Sequence, residues 1–216
     1  MTLLSGIDIT KATSVCLLAL VLSFAGLTVA HAKQTEKFNP EEAFYKSLFT
    51  IPAMYPQTRD YRRKWSRLTG FEFSGLHWNN YVVIYVNKGT DIYRDNYIEY
   101  LRVYQNEDED EDEEEEEEQS MHFKGYEVGT IFLKENYTVK NGIPHQPTSL
   151  TLMVKKPPGY APTGGDWEYS QFSPDGELMM RGNNTNVEIY QSCAKCHENM
   201  MERDYVFSTF YTEQSR

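Results

Sequence analysis

Residues 126–139 read YEVGTIFLKENYTV, and this stretch decides the fold. Two runs of similar composition follow it, TSLTLMVKK (148–156) and DWEYSQF (166–172), and HWNNYVVIYVN (77–87) precedes it. Short runs rich in Val, Ile, Tyr, Phe and Thr favour β-strands. The loop PPGYAPTGG separates the last two runs, and its proline and glycine residues indicate turns. The pattern therefore predicts an antiparallel sheet as the main element of the protein.

Helices are predicted before, between and after these strands. Residues 38–49 and 90–104 carry apolar side chains at helical spacing. The turn-rich segment between them contains Tyr61 and Trp65, which we expect to anchor the core. A last helix is predicted from Ser192 to about Arg203. Together these elements predict a single α+β domain that is rich in antiparallel sheet and ends in a helix.

The N-terminus has the features of a secretory signal peptide. Lys11 precedes an apolar run at residues 15–30, and Ala30-His31-Ala32 is a small-x-small cleavage pattern. The apolar run is shorter than the ~20 residues that a membrane span needs. We therefore expect residues 1–32 to be a signal peptide and residues 33–216 to form a periplasmic domain. An uncleaved membrane anchor is the alternative.

The negative charge of the chain is concentrated in one tract. The formal net charge is −11, and residues 107–118, EDEDEDEEEEEE, supply twelve negative charges, so the rest of the chain carries +1. Like charges repel and nothing in the tract is apolar, so we predict a solvated low-complexity loop at residues 106–119. It would either dock a basic redox partner or act only as a spacer. The chain has no basic stripe, which argues against a nucleic-acid partner.

The cysteines point to a covalently attached haem. Of the three cysteines, Cys16 lies in the predicted signal peptide, which leaves Cys193 and Cys196. His197 follows directly, so the motif is CxxCH, which is typical of haem c attachment. On a helix, residues three apart share a face, so both thiols can form thioethers with one haem. We therefore predict one covalent haem c per chain, with His197 as an axial ligand of the iron.

Other uses of the motif are less consistent with the rest of the chain. A thioredoxin-like CxxC pair expects a βαβ context and sheet after the motif, whereas only 19 residues follow His197. A zinc site needs further cysteine or histidine ligands at suitable spacing. A four-helix haem bundle with a C-terminal CxxCH is disfavoured by the strand-rich middle of the chain.

The second axial position of the iron has no obvious ligand. Met200 and Met201 lie too close to His197 on the same helix to reach the opposite haem face. We interpret the remaining candidates as packing or surface residues and predict a five-coordinate iron, which binds small gases or carries out chemistry. These candidates are His77, His122, His145, Met153, Met179 and Met180.

The order of several short motifs resembles that of the cytochrome P460 family. The resemblance covers the predicted mature domain except for the acidic tract, and it implies a periplasmic, sheet-rich, homodimeric haem protein. The motifs are YRRKW (61–65), HWNNYVVIYVN (77–87), GTIFLKE (129–135), TLMVKK (151–156), GGDWEYSQFSPDG (164–176), CAKCH (193–197) and RDYVF (203–207).

The resemblance implies two different activities. One branch of the family oxidises hydroxylamine and carries a lysine–haem bond, and the resemblance assigns that lysine, and hence a catalytic role, to Lys134 in LKE. The other branch, the cytochromes c′-beta, lacks the bond, has an apolar distal pocket and binds nitric oxide. Without the resemblance, Lys134 and Glu135 would be interpreted as solvated surface at a strand end.

One departure from the family pattern bears on this choice. Val82 stands where we align the distal arginine of the hydroxylamine oxidisers. An apolar wall gives no charge stabilisation to a reacting species and suits a neutral diatomic ligand. Our first hypothesis is still oxidation of hydroxylamine or a related reduced nitrogen compound. The alternatives are nitric oxide binding and electron transfer, and the latter needs a sixth ligand from His77 or Met153.

Overall fold

A seven-stranded antiparallel sheet forms the centre of the protein. The computed structural model describes residues 48–105, 121–209 and 211. Along the sheet the strands follow the order β1-β3-β4-β5-β6-β7, with β2 also paired to β3. The strands are β1 (Ser66–Arg67), β2 (Glu72–Ser74), β3 (Asn80–Val86), β4 (Ile131–Lys140), β5 (Ile143–Lys155), β6 (Trp167–Phe172) and β7 (Leu178–Gly182).

Each face of the sheet packs against its own hydrophobic cluster. Successive side chains of a strand point to opposite faces. In β4, Leu133 and Tyr137 belong to one buried cluster and Phe132 belongs to the other. The cluster around Phe132 also contains Trp167 and Ile189, so the C-terminal part of the chain covers this face. Lys134 lies two residues from Phe132 and therefore points to the same side.

Within the described residues, two α-helices precede β4. The first, α1 (Tyr61–Lys64), is a single turn, and Tyr61 and Trp65 are buried as predicted. The second, α2 (Thr90–Gln105), confirms the helix predicted over residues 90–104 and buries Tyr93. In the described residues, short 3-10 turns also lie before β4, at Pro56–Thr58 and Gly75–His77, and between β5 and β6, at Pro162–Gly164.

A C-terminal helical segment carries the CxxCH motif. It runs through an α-helical turn (Val187–Ile189), a π turn (Tyr190–Ala194), a second α turn (Lys195–His197) and a 3-10 helix (Glu198–Arg203). The predicted helix therefore exists, but it begins five residues before Ser192 and is not a regular α-helix. Asn186 caps its start, because its side chain accepts a hydrogen bond from the Ile189 amide at 3.1 Å.

These elements confirm a single α+β domain that is rich in antiparallel sheet. All described residues belong to one compact unit. The predicted signal peptide (1–32), the acidic loop (106–119) and residues 38–47 of the first predicted helix lie outside the described residues, and residues 48 and 49 are not helical. In the described parts of the chain, no helix combines the length and apolar character needed to cross a bilayer.

Candidate functional site

The three residues of the CxxCH motif line one cavity. The π turn carries Cys193, and the following α turn carries Cys196 and His197. Both cysteines are free thiols. A π turn inside a helix often occurs at a functional site, and here it follows the buried Ile189 and includes the first cysteine of the motif. The structure thus brings the two thiols and the imidazole to the same wall, as the spacing predicts.

A backbone hydrogen bond fixes the imidazole of His197. Its Nδ1 lies 2.7 Å from the carbonyl oxygen of Tyr205, and the ring packs against Tyr169 and Phe207. Burial lowers the pKa of His197 to about 4, so the ring is neutral near pH 7. A carbonyl can only accept, so Nδ1 carries the proton and Nε2 is left with its lone pair for a metal.

The cavity is mostly apolar and is open to solvent. Tyr93, Phe132 and Met153 contribute apolar surface, and Leu76 and Trp78 line it from the turn before β3.

Lys134 is one of a row of side chains that crosses the sheet beneath this cavity. The register pairs Ile84 with Lys134, Lys134 with Thr151, Thr151 with Gln171, and Gln171 with Met180. Paired residues of antiparallel strands point to the same face. We call these five residues the Lys134 row. All of them except Met180 line the cavity, and Met180 packs against the same cluster.

The amine of Lys134 is held in an environment that disfavours its charge. Burial lowers the pKa of Lys134 to about 7, with Cys193 acting in the opposite direction. Within the described residues no carboxylate pairs with this amine. A substantial fraction is therefore the neutral amine near pH 7, with a free lone pair. The alternative interpretation of Lys134 as solvated surface is wrong.

Glu135 shows that the neighbouring residue is not solvated surface either. Its side chain points to the opposite face of the sheet and is 1 % exposed. Arg62 Nε donates to it at 2.6 Å, Tyr137 donates at 2.5 Å, and the Tyr61 hydroxyl donates to the same carboxylate. Lys134 and Glu135 thus lie in the middle of β4, where Lys134 faces the cavity and Glu135 faces the core on the other side of the sheet.

Two of the six candidate sixth ligands reach the cavity. They are His77 and Met153, and Met180 lies close by in the Lys134 row. His77 Nδ1 lies 2.6 Å from Ser74 Oγ, and burial, followed by Lys134 and His197, lowers the pKa of His77 to about 3. The other three, His122, His145 and Met179, are exposed and do not line the cavity.

Val82 does not line the cavity, although we aligned it with a distal residue. It is buried at 4 % exposure and pairs with Asn136 and Glu72. Ile84, two residues further along the same face of β3, lines the cavity instead. The wall contributed by β3 is therefore apolar, as expected, but a different residue provides it.

Three polar residues of the site were not identified from the sequence. Thr151 pairs with Lys134, Gln171 pairs in turn with Thr151, and no hydrogen bond joins their side chains to described residues. The hydroxyl of Tyr169 is buried without a hydrogen-bond partner among the described residues, and this side chain also lines the cavity. The alternation of DWEYSQF places Tyr169 and Gln171 on one face, which was the available signal.

The residues present fit a haem. Two thiols and a neutral imidazole occupy one wall of a mostly apolar cavity, and buried polar groups such as the Tyr169 hydroxyl lack partners among the described residues. The antiparallel sheet rules out the βαβ context of a thioredoxin. Across the described ranges, no group of three or more His, Cys, Asp and Glu side chains is arranged to hold a metal ion, which argues against a zinc site.

Comparison with known proteins agrees with this geometry. The family model described as cytochrome P460 matches residues 77–208. The match extends from the turn before β3 to just beyond the C-terminal helical segment, so it includes the Lys134 row and the CxxCH motif. A search of curated proteins found no match to the chain.

Proposed function

Because this chain belongs to the cytochrome P460 family and is therefore a haem protein, we propose that it oxidises hydroxylamine or a related reduced nitrogen compound. Cys193 and Cys196 would hold one haem through thioethers, and His197 Nε2 would ligate the iron. The bound haem supplies an iron that changes oxidation state and passes the electrons of the substrate to a redox partner. The residues around the haem would set its reactivity and orient the substrate.

The observation that carries the proposal is the position and protonation of Lys134. Its amine shares the cavity with the CxxCH residues, and burial lowers its pKa to about 7. The family's lysine–haem bond needs an amine with a free lone pair, which an ordinary lysine lacks near pH 7. Lys134, with its lowered pKa, would supply that amine.

The neighbours of Lys134 support a polar substrate. Thr151 offers a hydroxyl and Gln171 a carboxamide in a cavity that is otherwise mostly apolar. Each can donate and accept a hydrogen bond. A substrate with N–H and O–H groups would gain orientation from them. A neutral diatomic would use them less.

The test compares Lys134→Met with Lys140→Met in protein matured with haem-attachment machinery. Lys140 is the exposed last residue of β4, so its replacement is a matched control. We expect the haem peptide of the wild type and of Lys140→Met to contain residue 134 as well as CAKCH, and both proteins to oxidise hydroxylamine with an added electron acceptor. Lys134→Met should keep its haem and lose at least tenfold in rate. Wild-type haem attached only through cysteines, with no turnover, would overturn the proposal.

Nitric oxide binding is the second candidate. Ile84 and Met153 give the cavity an apolar wall, which suits a small neutral ligand. This function requires no lysine–haem bond, so the wild type and Lys134→Met would bind nitric oxide with similar affinity. A spectral titration of the reduced protein with nitric oxide separates the two candidates.

Electron transfer is the third candidate, and the position of His77 favours it. Its imidazole lines the cavity, and its lowered pKa keeps the ring neutral near pH 7 and able to bind a metal. If His77 or Met153 ligates the iron, the absorption spectrum will be that of a six-coordinate haem, and His77→Ala or Met153→Leu will change it. An unchanged spectrum in both variants removes this candidate.

Location and assembly belong to the same proposal. We propose export to the periplasm through residues 1–32, because attachment of haem to CxxCH takes place outside the cytoplasm. The resemblance to periplasmic homodimers supports this location and a paired assembly. Mass spectrometry of the secreted protein would show whether the chain begins at Lys33, and light scattering would give the number of protomers.

A further inference from the structure

The carbonyl group that binds His197 belongs to an unusual turn. Asp204 and Tyr205 have φ angles of 54° and 65°. Both therefore adopt the left-handed region, which costs free energy for residues other than glycine and persists only where the surroundings hold it. This turn places the Tyr205 oxygen 2.7 Å from His197 Nδ1.

Asp204 is held on both its side chain and its main chain. One carboxylate oxygen accepts from the amide of Tyr126 at 2.7 Å, and the other accepts from Lys155 Nζ at 2.5 Å. The carbonyl of Asp204 accepts from Trp167 Nε1 at 2.8 Å. These three donors come from β5, from β6 and from the segment before β4, so they tie the turn to the sheet.

Lys155 is itself fixed and largely buried. Its side chain is 13 % exposed, the same fraction as that of Asp204. Its Nζ also donates to the Gly165 carbonyl at 2.8 Å and lies 5.0 Å from the centre of the Trp167 ring. The Tyr205 ring packs so close to Gly165 that a Cβ there would be 2.4 Å from it. An amine with these neighbours has little freedom to leave Asp204.

We propose that the Lys155–Asp204 ion pair is a positioning device for the axial histidine. It holds the left-handed turn, which aims the Tyr205 carbonyl at His197 Nδ1. A firm hydrogen bond at Nδ1 orients the ring and makes Nε2 a stronger electron donor to a metal. The pair thereby sets the strength of the iron–histidine bond and lowers the reduction potential. The inference rests on the proposed role of His197 as the iron ligand.

A simple charge effect must be separated from positioning. Removing the positive charge of Lys155 would by itself favour ferric iron and lower the potential. Loosening the turn would weaken the hydrogen bond at Nδ1, make the histidine a poorer donor and raise the potential. The two effects have opposite signs in Lys155→Met. The neighbouring Lys156 provides the control, because its Nζ pairs with Glu168 at 3.7 Å and not with the turn.

The experiment measures the iron–histidine stretching frequency and the reduction potential of the reduced haem-loaded protein. The variants are Lys155→Met, Asp204→Asn, Lys155→Arg and the control Lys156→Met. Asn tolerates the left-handed region as Asp does, and its oxygen can still accept from the Tyr126 amide, so Asp204→Asn removes the ion pair with little risk to folding. Lys155→Arg keeps the charge and should restore most of the wild-type signal.

We expect a lower iron–histidine frequency in Lys155→Met and Asp204→Asn, with a raised potential in both. Lys156→Met should keep the wild-type frequency. Folded Lys155→Met and Asp204→Asn proteins with the wild-type frequency would overturn the positioning role alone. If the wild type shows no iron–histidine band and His197→Ala leaves its haem spectrum unchanged, the ligand assignment itself fails, and this inference fails with it.

Discussion

The two adjacent residues Lys134 and Glu135 have opposite chemical environments. Lys134 has no carboxylate partner among the described residues, whereas Glu135 accepts bonds from Tyr61, Tyr137 and Arg62. Burial and the Glu135 charge raise the pKa of Tyr61 well above its usual value, so its hydroxyl remains a donor at any physiological pH. Lys134 therefore lines the cavity, and Glu135 stabilises the core on the opposite face of the sheet.

Replacing Glu135 tests this division directly. Glu135→Ala leaves a buried guanidinium and two tyrosine hydroxyls without their shared acceptor, and breaking a buried pair in this way costs about 3–5 kcal/mol. We expect a loss of that size in the free energy of unfolding, measured with urea. The haem spectrum of the folded fraction should not change, because the side chain points away from the cavity.

The control for Glu135 is an exposed acid in an ion pair. Glu127 lies 3.2 Å from Lys88, and its side chain is 77 % exposed. Exposed pairs contribute about 0–1 kcal/mol. Glu127→Ala should therefore change the free energy of unfolding by less than about 1 kcal/mol. Equal losses for the two variants would contradict the proposed importance of the buried cluster.

At the scale of elements, Asn186 starts the C-terminal helical segment. Its side-chain oxygen accepts from the Ile189 amide, and Ile189 is 1 % exposed. Removing such a cap costs about 1 kcal/mol. We expect Asn186→Ala to lose about that amount in urea unfolding and Asn186→Asp to lose much less, because aspartate caps equally well. A loss in Asn186→Asp as large as in Asn186→Ala would show that the amide nitrogen, and not the cap, is important.

Glu99 connects helix α2 to the segment that returns toward β4. Its carboxylate accepts from the His122 amide at 2.8 Å and from two nitrogens of Arg102 at 2.5 and 2.9 Å. The Arg102 bonds, with smaller help from the His122 amide, lower the pKa of Glu99 to about 2. The ends of the chain on either side of the acidic tract are thus tied together.

This lowered pKa predicts how stability depends on pH. Because the folded pKa lies below the unfolded value of about 4.3, the stabilisation is fully present above that value and disappears as pH falls toward 2. The free energy of unfolding of the wild type should therefore exceed that of Glu99→Gln by a constant amount at pH 5–7. The difference should shrink toward zero near pH 2.

The control for Glu99 is Glu188→Gln. Glu188 is exposed and forms no ion pair with described residues. Its replacement should give a difference near zero throughout the same pH range. A Glu99 difference that is independent of pH would contradict the proposed electrostatic tie.

Local patterns predicted the main elements but not their register. The β-branched and aromatic composition of residues 126–139 predicted β4, and the CxxCH spacing predicted the attachment helix, because both signals depend on neighbours along the chain. That Thr151 and Gln171 share a row with Lys134 depends on pairing between distant strands, and a shift of one residue would reverse their faces. Strand β7 was not predicted because LMMRG is a largely exposed edge without clear alternation.

The features of the site also divide into those that the local sequence predicts and those that depend on the fold. The thiols and the imidazole were predicted because they lie within one five-residue motif. The carbonyl of Tyr205 was not, since main-chain acceptors have no residue-specific pattern and this one depends on the left-handed turn at Asp204. The π turn that carries Cys193 was also missed, because the motif spacing predicts a regular helix.

At the scale of the whole molecule, the excess negative charge lies in one tract outside the described residues. The tract at residues 107–118 accounts for the negative net charge, and the rest of the chain carries +1. It follows α2 and precedes the Glu99-bound residue His122. Since Glu99 on one side of the tract binds the His122 amide on the other side, we expect the domain to fold without the tract's own sequence.

Replacing residues 107–118 with a Gly/Ser linker of equal length tests whether the tract docks a partner. The charges of a docked pair are screened beyond about 8 Å at physiological ionic strength, so steering by twelve carboxylates should be strongest in low salt. We expect the wild type to reduce a small basic cytochrome at least tenfold faster in low salt than in high salt, measured by stopped flow. The linker variant should react slowly and nearly independently of salt, with an unchanged melting temperature.

An acidic acceptor protein provides the control, because it should react slowly with the wild type and faster with the variant in low salt. If the two proteins show the same salt dependence with the basic acceptor, the tract is a spacer and electrons leave the haem by another surface.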